Sequence, residues 1–187
     1  MLLFVSGGVR SGKSAAAERL VETLTGNHSR CVYIATGNIT DEEMKERVKL
    51  HQAEREKSII KWETMEIKRD LQEKVSLFKK EDIVLLDCAT NWMANELFVS
   101  RDSWEDTEFQ LEIIESMKEA VTKINEKVTH FVIVSNDLFE GGMLHGATFV
   151  YMKLLGSFHQ WLVQEADIAI AAEAGATVIK KGVWQNG

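Results

Sequence analysis

Residues 7 to 14 read GGVRSGKS, and their types and spacing are suited to holding phosphates. Gly7, four residues, Gly12, Lys13 and Ser14 complete the pattern of a phosphate-binding loop. Glycines let backbone N–H groups turn inward around the phosphate oxygens, and a helix starting at the loop's end adds the positive end of its dipole. Lys13 supplies a point charge for the β and γ phosphates, and Ser14 a hydroxyl for Mg²⁺. Arg10 is a further donor inside the loop, or a solvated loop arginine. Such a loop needs an acid at the end of an apolar strand to complete the metal site. Asp87, closing IVLLD, is the candidate. Asp137, after FVIVSN, is a second strand-end acid that could equally cap the next element. In DEEMKERVKLHQAERE, a helix would stack Arg47, His51 and Arg55 at i, i+4 and i+8 on one face. A neutral imidazole between two guanidiniums suits attack on phosphorus, because the cations disfavour imidazolium and bind phosphate oxygens. Spacing alone leaves open a solvated charged face with a passenger histidine.

The elements that must position these residues alternate between strand and helix. Strands are expected at Leu2–Ser6, Cys31–Ala35, Ile83–Asp87 and Phe131–Ser135, with a final one at Ile168–Ala172. Helices are expected at Lys13–Leu24, Asp41–Lys57 (Thr40 as N-cap), Thr90–Phe98, Glu105–Lys127 and Ala147–Ala166. In the long acidic helix, Phe109, Ile113, Met117 and Val121 recur in steps of four, an amphipathic core-facing stripe. Fully apolar strands interleaved with helices imply an α/β fold: a mostly parallel sheet with helices on both faces.

Composition narrows the function classes. The chain has 187 residues, 45% of them hydrophobic, enough for one domain with a sizeable core. Its net charge of −7 makes a nucleic-acid surface a poor first expectation. The apolar run Met1–Val5 is too short for a signal peptide or membrane span. The two cysteines, Cys31 and Cys88, lie in apolar runs and read as buried thiols in a reducing cytoplasm. With no proline, the turns rest on Gly, Asn and Asp. His145 and His159 read as surface or satisfied core residues, with a polar pocket beside Asp137 as the alternative. Trp92, Trp104, Trp161 and Trp184 read as core and interface aromatics.

Several segments in order resemble the bifunctional adenosylcobinamide kinase/adenosylcobinamide-phosphate guanylyltransferase family of cobalamin biosynthesis. They are FVSGGVRSGKS, YIATGNITDEEMKERVKLHQAER, Trp62-x-Thr64-x-Glu66, VLLDCATNWMANELF and VSND. The resemblance implies a P-loop NTPase sheet of the RecA-like kind and a homo-oligomer, a trimer. It implies His51 as a covalently guanylylated nucleophile, with Lys13 as its catalytic companion at the phosphates. Nucleotide contacts are implied at Gly7, Gly8, Val9, Arg10, Ser11, Gly12, Lys13 and Ser14. Others are implied at Ala35, Thr36, Gly37, Gln52, Ala53, Glu54, Arg55, Glu66 and Asp87, with Ser14 and Asp87 holding Mg²⁺. The implied substrates are GTP, ATP and a corrinoid, adenosylcobinamide. A γ-phosphoryl group would pass to the aminopropanol hydroxyl, and GMP would then pass through His51 to the resulting phosphate.

Residues 138–165 depart from the family's pattern. They contain no proline, and Ser157 and His159 stand where the family carries arginine and asparagine, while Gly156 and Gln160 persist. Two alternatives follow: another P-loop small-molecule kinase or NTPase, or a nucleotide-binding homologue with reduced or lost transferase activity.

Overall fold

The computed structural model describes residues 1–26, 29–38, 46, 49, 53, 55–100, 102–138 and 145–184. Seven strands form one sheet: β1 (Leu2–Gly7), β2 (Arg30–Ala35), β3 (Trp62–Glu66), β4 (Asp82–Asp87), β5 (His130–Asn136), β6 (Ile168–Glu173) and β7 (Ala176–Lys181). Their order is β3-β2-β4-β5-β1-β6-β7. Every pairing is parallel except that of β7, which runs antiparallel to β6. Two strands go beyond the sequence expectation. β7 follows the strand expected to be last, and the Trp62–Glu66 motif is itself the edge strand β3.

Alternation along each strand divides the core between the two faces. Leu2 and Phe4, Val32 and Ile34, Val84 and Leu86, and Phe131 and Ile133 point to one side. Three helices cover that face: α2 (Ala89–Leu97), α3 (Thr107–Lys127) and α4 (Gly146–Glu165). Leu3, Val5, Cys31, Tyr33, Ile83, Leu85, Val132 and Val134 point to the other side. There they meet Ala17 and Val21 of α1 (Lys13–Leu24). Strands apolar on both sides belong to a sheet covered on both faces, as expected.

The four helices α1 to α4 match their expected spans within a residue or two, while most of the helix expected at Asp41–Lys57 lies outside the described residues. The stretch expected as one helix from Glu105 begins instead with a short 3-10 turn, Ser103–Glu105. Asp106 then caps α3, its Oδ1 accepting from the N–H groups of Glu108 (2.9 Å) and Phe109 (3.1 Å). Ile113, Met117 and Val121 are buried and Phe109 packs against the same core, so the step-of-four stripe faces the sheet. Trp92 is fully buried, while Trp104, Trp161 and Trp184 pack partly buried against the two cores. Both cysteines are buried free thiols. No helix among the described residues is long and apolar enough to cross a membrane.

Candidate nucleotide-binding site

The phosphate loop leaves β1 at Gly7 and enters α1 at Lys13. Gly7 is required by contact. A Cβ there would lie 2.4 Å from the Ala172 carbonyl oxygen and 2.5 Å from Ser11 Oγ. Gly12 is required by conformation, since its φ of 87° is the left-handed region that side chains rarely adopt. Ser11 N–H donates to the Gly8 carbonyl at 3.3 Å, closing the turn, and the Gly175 N–H donates to the Ser11 carbonyl at 3.0 Å. The tip of the β6–β7 hairpin thus buttresses the loop from outside. Lys13 Nζ reaches back to the Gly8 carbonyl at 3.2 Å, which holds its ammonium over the loop. No side chain caps the start of α1, so its first-turn N–H groups are suited to an anion.

Register gathers the remaining candidates along one edge. Gly7 is level with Asn136 of β5 and with Ala172 of β6. Ala35 is level with Glu66 on one side and Asp87 on the other. All stand at the carboxyl ends of parallel strands, where open α/β sheets bind ligands. The turn after β2 is held by polar bonds. The Thr36 hydroxyl donates to the Cys88 carbonyl and accepts from the Cys88 N–H, both at 2.8 Å. Asn95 Nδ2 donates to the carbonyls of Thr36 (2.8 Å) and Lys68 (3.1 Å). Beside them Thr90 Oγ1 accepts from Asn136 Nδ2 at 3.1 Å, tying the end of β5 to α2.

Asp87 Oδ2 accepts from the Tyr33 hydroxyl at 2.9 Å. Tyr33 is buried, and burial together with the Asp87 charge pushes its phenol well above the usual range, so it stays a donor. The Arg55 guanidinium lies over the Tyr33 ring, 3.8 Å from its centroid. It also faces Glu18 of α1, Nη1 to Oε1 at 3.4 Å. The Cys88 thiol is pushed up to about 11 by burial and by Asp87, with Lys13 pulling the other way. A cavity of about 690 Å³ lies along β3, lined by Arg55, Ser58, Lys61, Trp62 and Thr64 among others. Among the described candidate residues, Arg55 is the one that lines it.

The family model of cobinamide kinase / cobinamide phosphate guanyltransferase matches residues 3–179. The chain belongs to this family. It is similar to the bifunctional adenosylcobalamin biosynthesis protein CobU of Escherichia coli (strain K12), 31% identical over 147 residues, covering 75% of this chain and 77% of that protein. It is also similar to the bifunctional protein CobP of Pseudomonas aeruginosa, 29% identical over 180 residues, 95% of this chain and 96% of that one. Among solved structures, the flagellar accessory protein FlaH of Methanocaldococcus jannaschii superposes with a TM-score of 0.51 at 17% identity. That alignment covers 99% of this chain and 82% of that one, and the likeness is one of fold. The fold is that of a P-loop NTPase, with the phosphate loop on β1 and the acidic strand end on β4, separated by β5.

In this member of the cobinamide kinase family the structure lines up residues 7–14, Ala35, Thr36, Gly37, Glu66 and Asp87 along one carboxyl edge of the sheet. Arg47, His51, Gln52 and Glu54, like the expected cap Thr40, lie outside the described residues, whereas Ala53 lies in helical backbone. Mg²⁺ fits the donor set. The Ser14 hydroxyl and the Asp87 carboxylate are hard oxygen donors of the kind Mg²⁺ takes, and among the described residues no group of three or more His, Cys, Asp or Glu is placed to hold a metal ion. His159 is a satisfied core histidine, 8% exposed, its Nε2 2.7 Å from Ser135 Oγ. His145 is exposed at the start of α4. Sequence reasoning missed Tyr33, Glu18, Asn95 and Gly175. Asn95 lies in the segment VLLDCATNWMANELF, where nothing gives it a role, and the other three gain one only from distant partners.

Proposed function

We propose that this chain phosphorylates the aminopropanol hydroxyl of adenosylcobinamide and then transfers GMP from GTP to the adenosylcobinamide phosphate through His51. One observation carries the reading. Motifs scattered from Gly7 to Asp87 converge on a single carboxyl edge beside a complete phosphate loop, in a chain whose family match runs over residues 3–179.

In the kinase step the loop N–H groups and Lys13 cradle the β and γ phosphates of ATP or GTP. The acceptor hydroxyl attacks the γ-phosphorus, its proton passes to solvent, and the nucleoside diphosphate leaves. In the guanylyl step a ring nitrogen of His51 attacks the α-phosphorus of GTP. The N–P bond forms as the bond to the bridging oxygen breaks, and pyrophosphate departs. An oxygen of the acceptor phosphate then attacks the same phosphorus and His51 leaves, so one difficult displacement becomes two easier ones. Ser14 and Asp87 would hold Mg²⁺, which would neutralise charge on the phosphate oxygens when bound.

Incubation with α-labelled GTP and Mg²⁺, followed by a denaturing gel, tests the histidine route. Acid-labile label on the wild type and none on His51→Ala is expected. An unlabelled wild type that still binds GTP overturns the covalent route. Phosphorylation of an added corrinoid then separates a surviving kinase from a nucleotide-binding homologue.

A further inference from the structure

Arg55 is 8% exposed, and its guanidinium is already committed. One face covers the Tyr33 ring at 3.8 Å, and its Nη1 faces Glu18 at 3.4 Å. A cation taken this far out of water needs its partners, and drawing it away leaves Glu18 without that cation and the phenol uncovered. The seat joins three pieces of the site. Glu18 is one helical turn beyond Ser14 on α1, and Tyr33 is two residues before Ala35 on β2. Arg55 lies in helical backbone four residues after His51 in the sequence. The Tyr33 hydroxyl extends the chain of contacts to Asp87 Oδ2 at 2.9 Å, fixing which carboxylate oxygen faces away from the phenol.

We propose that Arg55 is a positioning residue rather than a phosphate ligand. Clamped by Glu18 and Tyr33, it ties the helical backbone at residue 55 to α1 and β2. Through the Tyr33 hydroxyl the same clamp orients Asp87 toward Mg²⁺. The effect on His51, four residues earlier in the sequence, rests on the proposed guanylyl transfer; the link between Tyr33 and Asp87 does not.

The test reads binding separately from turnover, with a fluorescent GTP analogue titrated at varied Mg²⁺. Tyr33→Phe keeps the ring beneath Arg55 and removes only the bond to Asp87. It is expected to raise the Mg²⁺ concentration for half-maximal nucleotide binding about tenfold, the usual scale for losing a partner of a metal ligand. Arg55→Lys keeps the charge but loses the planar stack. At saturating Mg²⁺ it is expected to bind GTP within about twofold of wild type while the rate of covalent labelling falls about tenfold. Glu18→Gln, which removes one partner and leaves Arg55 in place, is expected to repeat that split more weakly, and serves if Arg55→Lys unfolds. An Arg55→Lys protein that binds GTP about tenfold more weakly yet labels at the wild-type rate once saturated overturns the proposal. So does an unchanged Mg²⁺ midpoint in Tyr33→Phe. If the wild type takes no label, the guanylyl-transfer reading fails by itself, and the two binding measurements still decide the clamp.

Discussion

The buried pair of His159 and Ser135 makes the stability of this fold sensitive to acid. His159 Nε2 lies 2.7 Å from Ser135 Oγ in the core, its ring edge-on to Phe4 with centroids 5.2 Å apart. Burial lowers its pKa from 6.5 to about 4, opposed weakly by Asp137. The folded protein therefore keeps a neutral imidazole where the unfolded chain takes up a proton. Stability from this group is fully present above the unfolded value of 6.5 and is lost as pH falls toward the folded value of about 4. At about 1.36 kcal/mol for each pH unit separating the two values, the whole window is worth about 3 kcal/mol, and about 2 kcal/mol is gone near pH 5. His159→Gln offers Ser135 an amide near the position of Nε2 that does not titrate. Urea unfolding of both proteins at about pH 7.5 and about pH 5 isolates the effect. Contributions from His130, lowered by burial, and Glu96, raised by burial, are common to both proteins and cancel. The wild type is expected to lose about 2 kcal/mol more than the variant between the two conditions. Parallel losses, equal within about 0.5 kcal/mol, would refute the argument that the buried imidazole stays neutral.

Two other perturbations probe the loop and the turn beside it. Gly7→Ala drives a methyl to 2.4 Å from a backbone carbonyl of β6, and is expected to cost about 1–3 kcal/mol and to weaken nucleotide binding. Gly8→Ala, with nothing within 4 Å of the new carbon, is expected to stay within about 0.5 kcal/mol of wild type in thermal unfolding; equal losses in both would contradict the steric account. Asn95→Ala strips the amide from the Thr36 and Lys68 carbonyls. It is expected to lower stability by about 1–3 kcal/mol, measured by urea unfolding, and to loosen nucleotide binding without affecting the phosphate loop itself.

The central strands are legible in the sequence because each is apolar on both sides, and the loop because its chemistry is written in consecutive residues. Asp87 is legible for the same reason, as an acid ending an apolar run. The two edge strands are not. Along β3 only Trp62 and Met65 are partly covered and the rest is exposed, and all six residues of β7 are exposed. Neither carries the two-sided apolar signal of a buried strand; they are strands because a neighbour offers them hydrogen bonds. The Arg55 clamp is illegible for another reason. Helical spacing groups Arg55 with Arg47 and His51, whereas its partners Glu18 and Tyr33 lie on two other elements. His159 is a core histidine, one of the two ordinary readings its sequence context allows, but Ser135 as its partner requires the packing of α4 against β5.

The position of β1 has a consequence for how the protein is made. Its two neighbours are β5 and β6, so Leu2 pairs with Phe131 and Leu3 with Ile168. The loop's backbone is further pinned by Gly175. These closures span most of the chain, and long loops must be ordered before any of the pairings repays them. The loop residues are consecutive and early in the sequence, yet the carbonyl and N–H that bound them come from residues 172 and 175, so the loop is buttressed only once β6 lies beside β1.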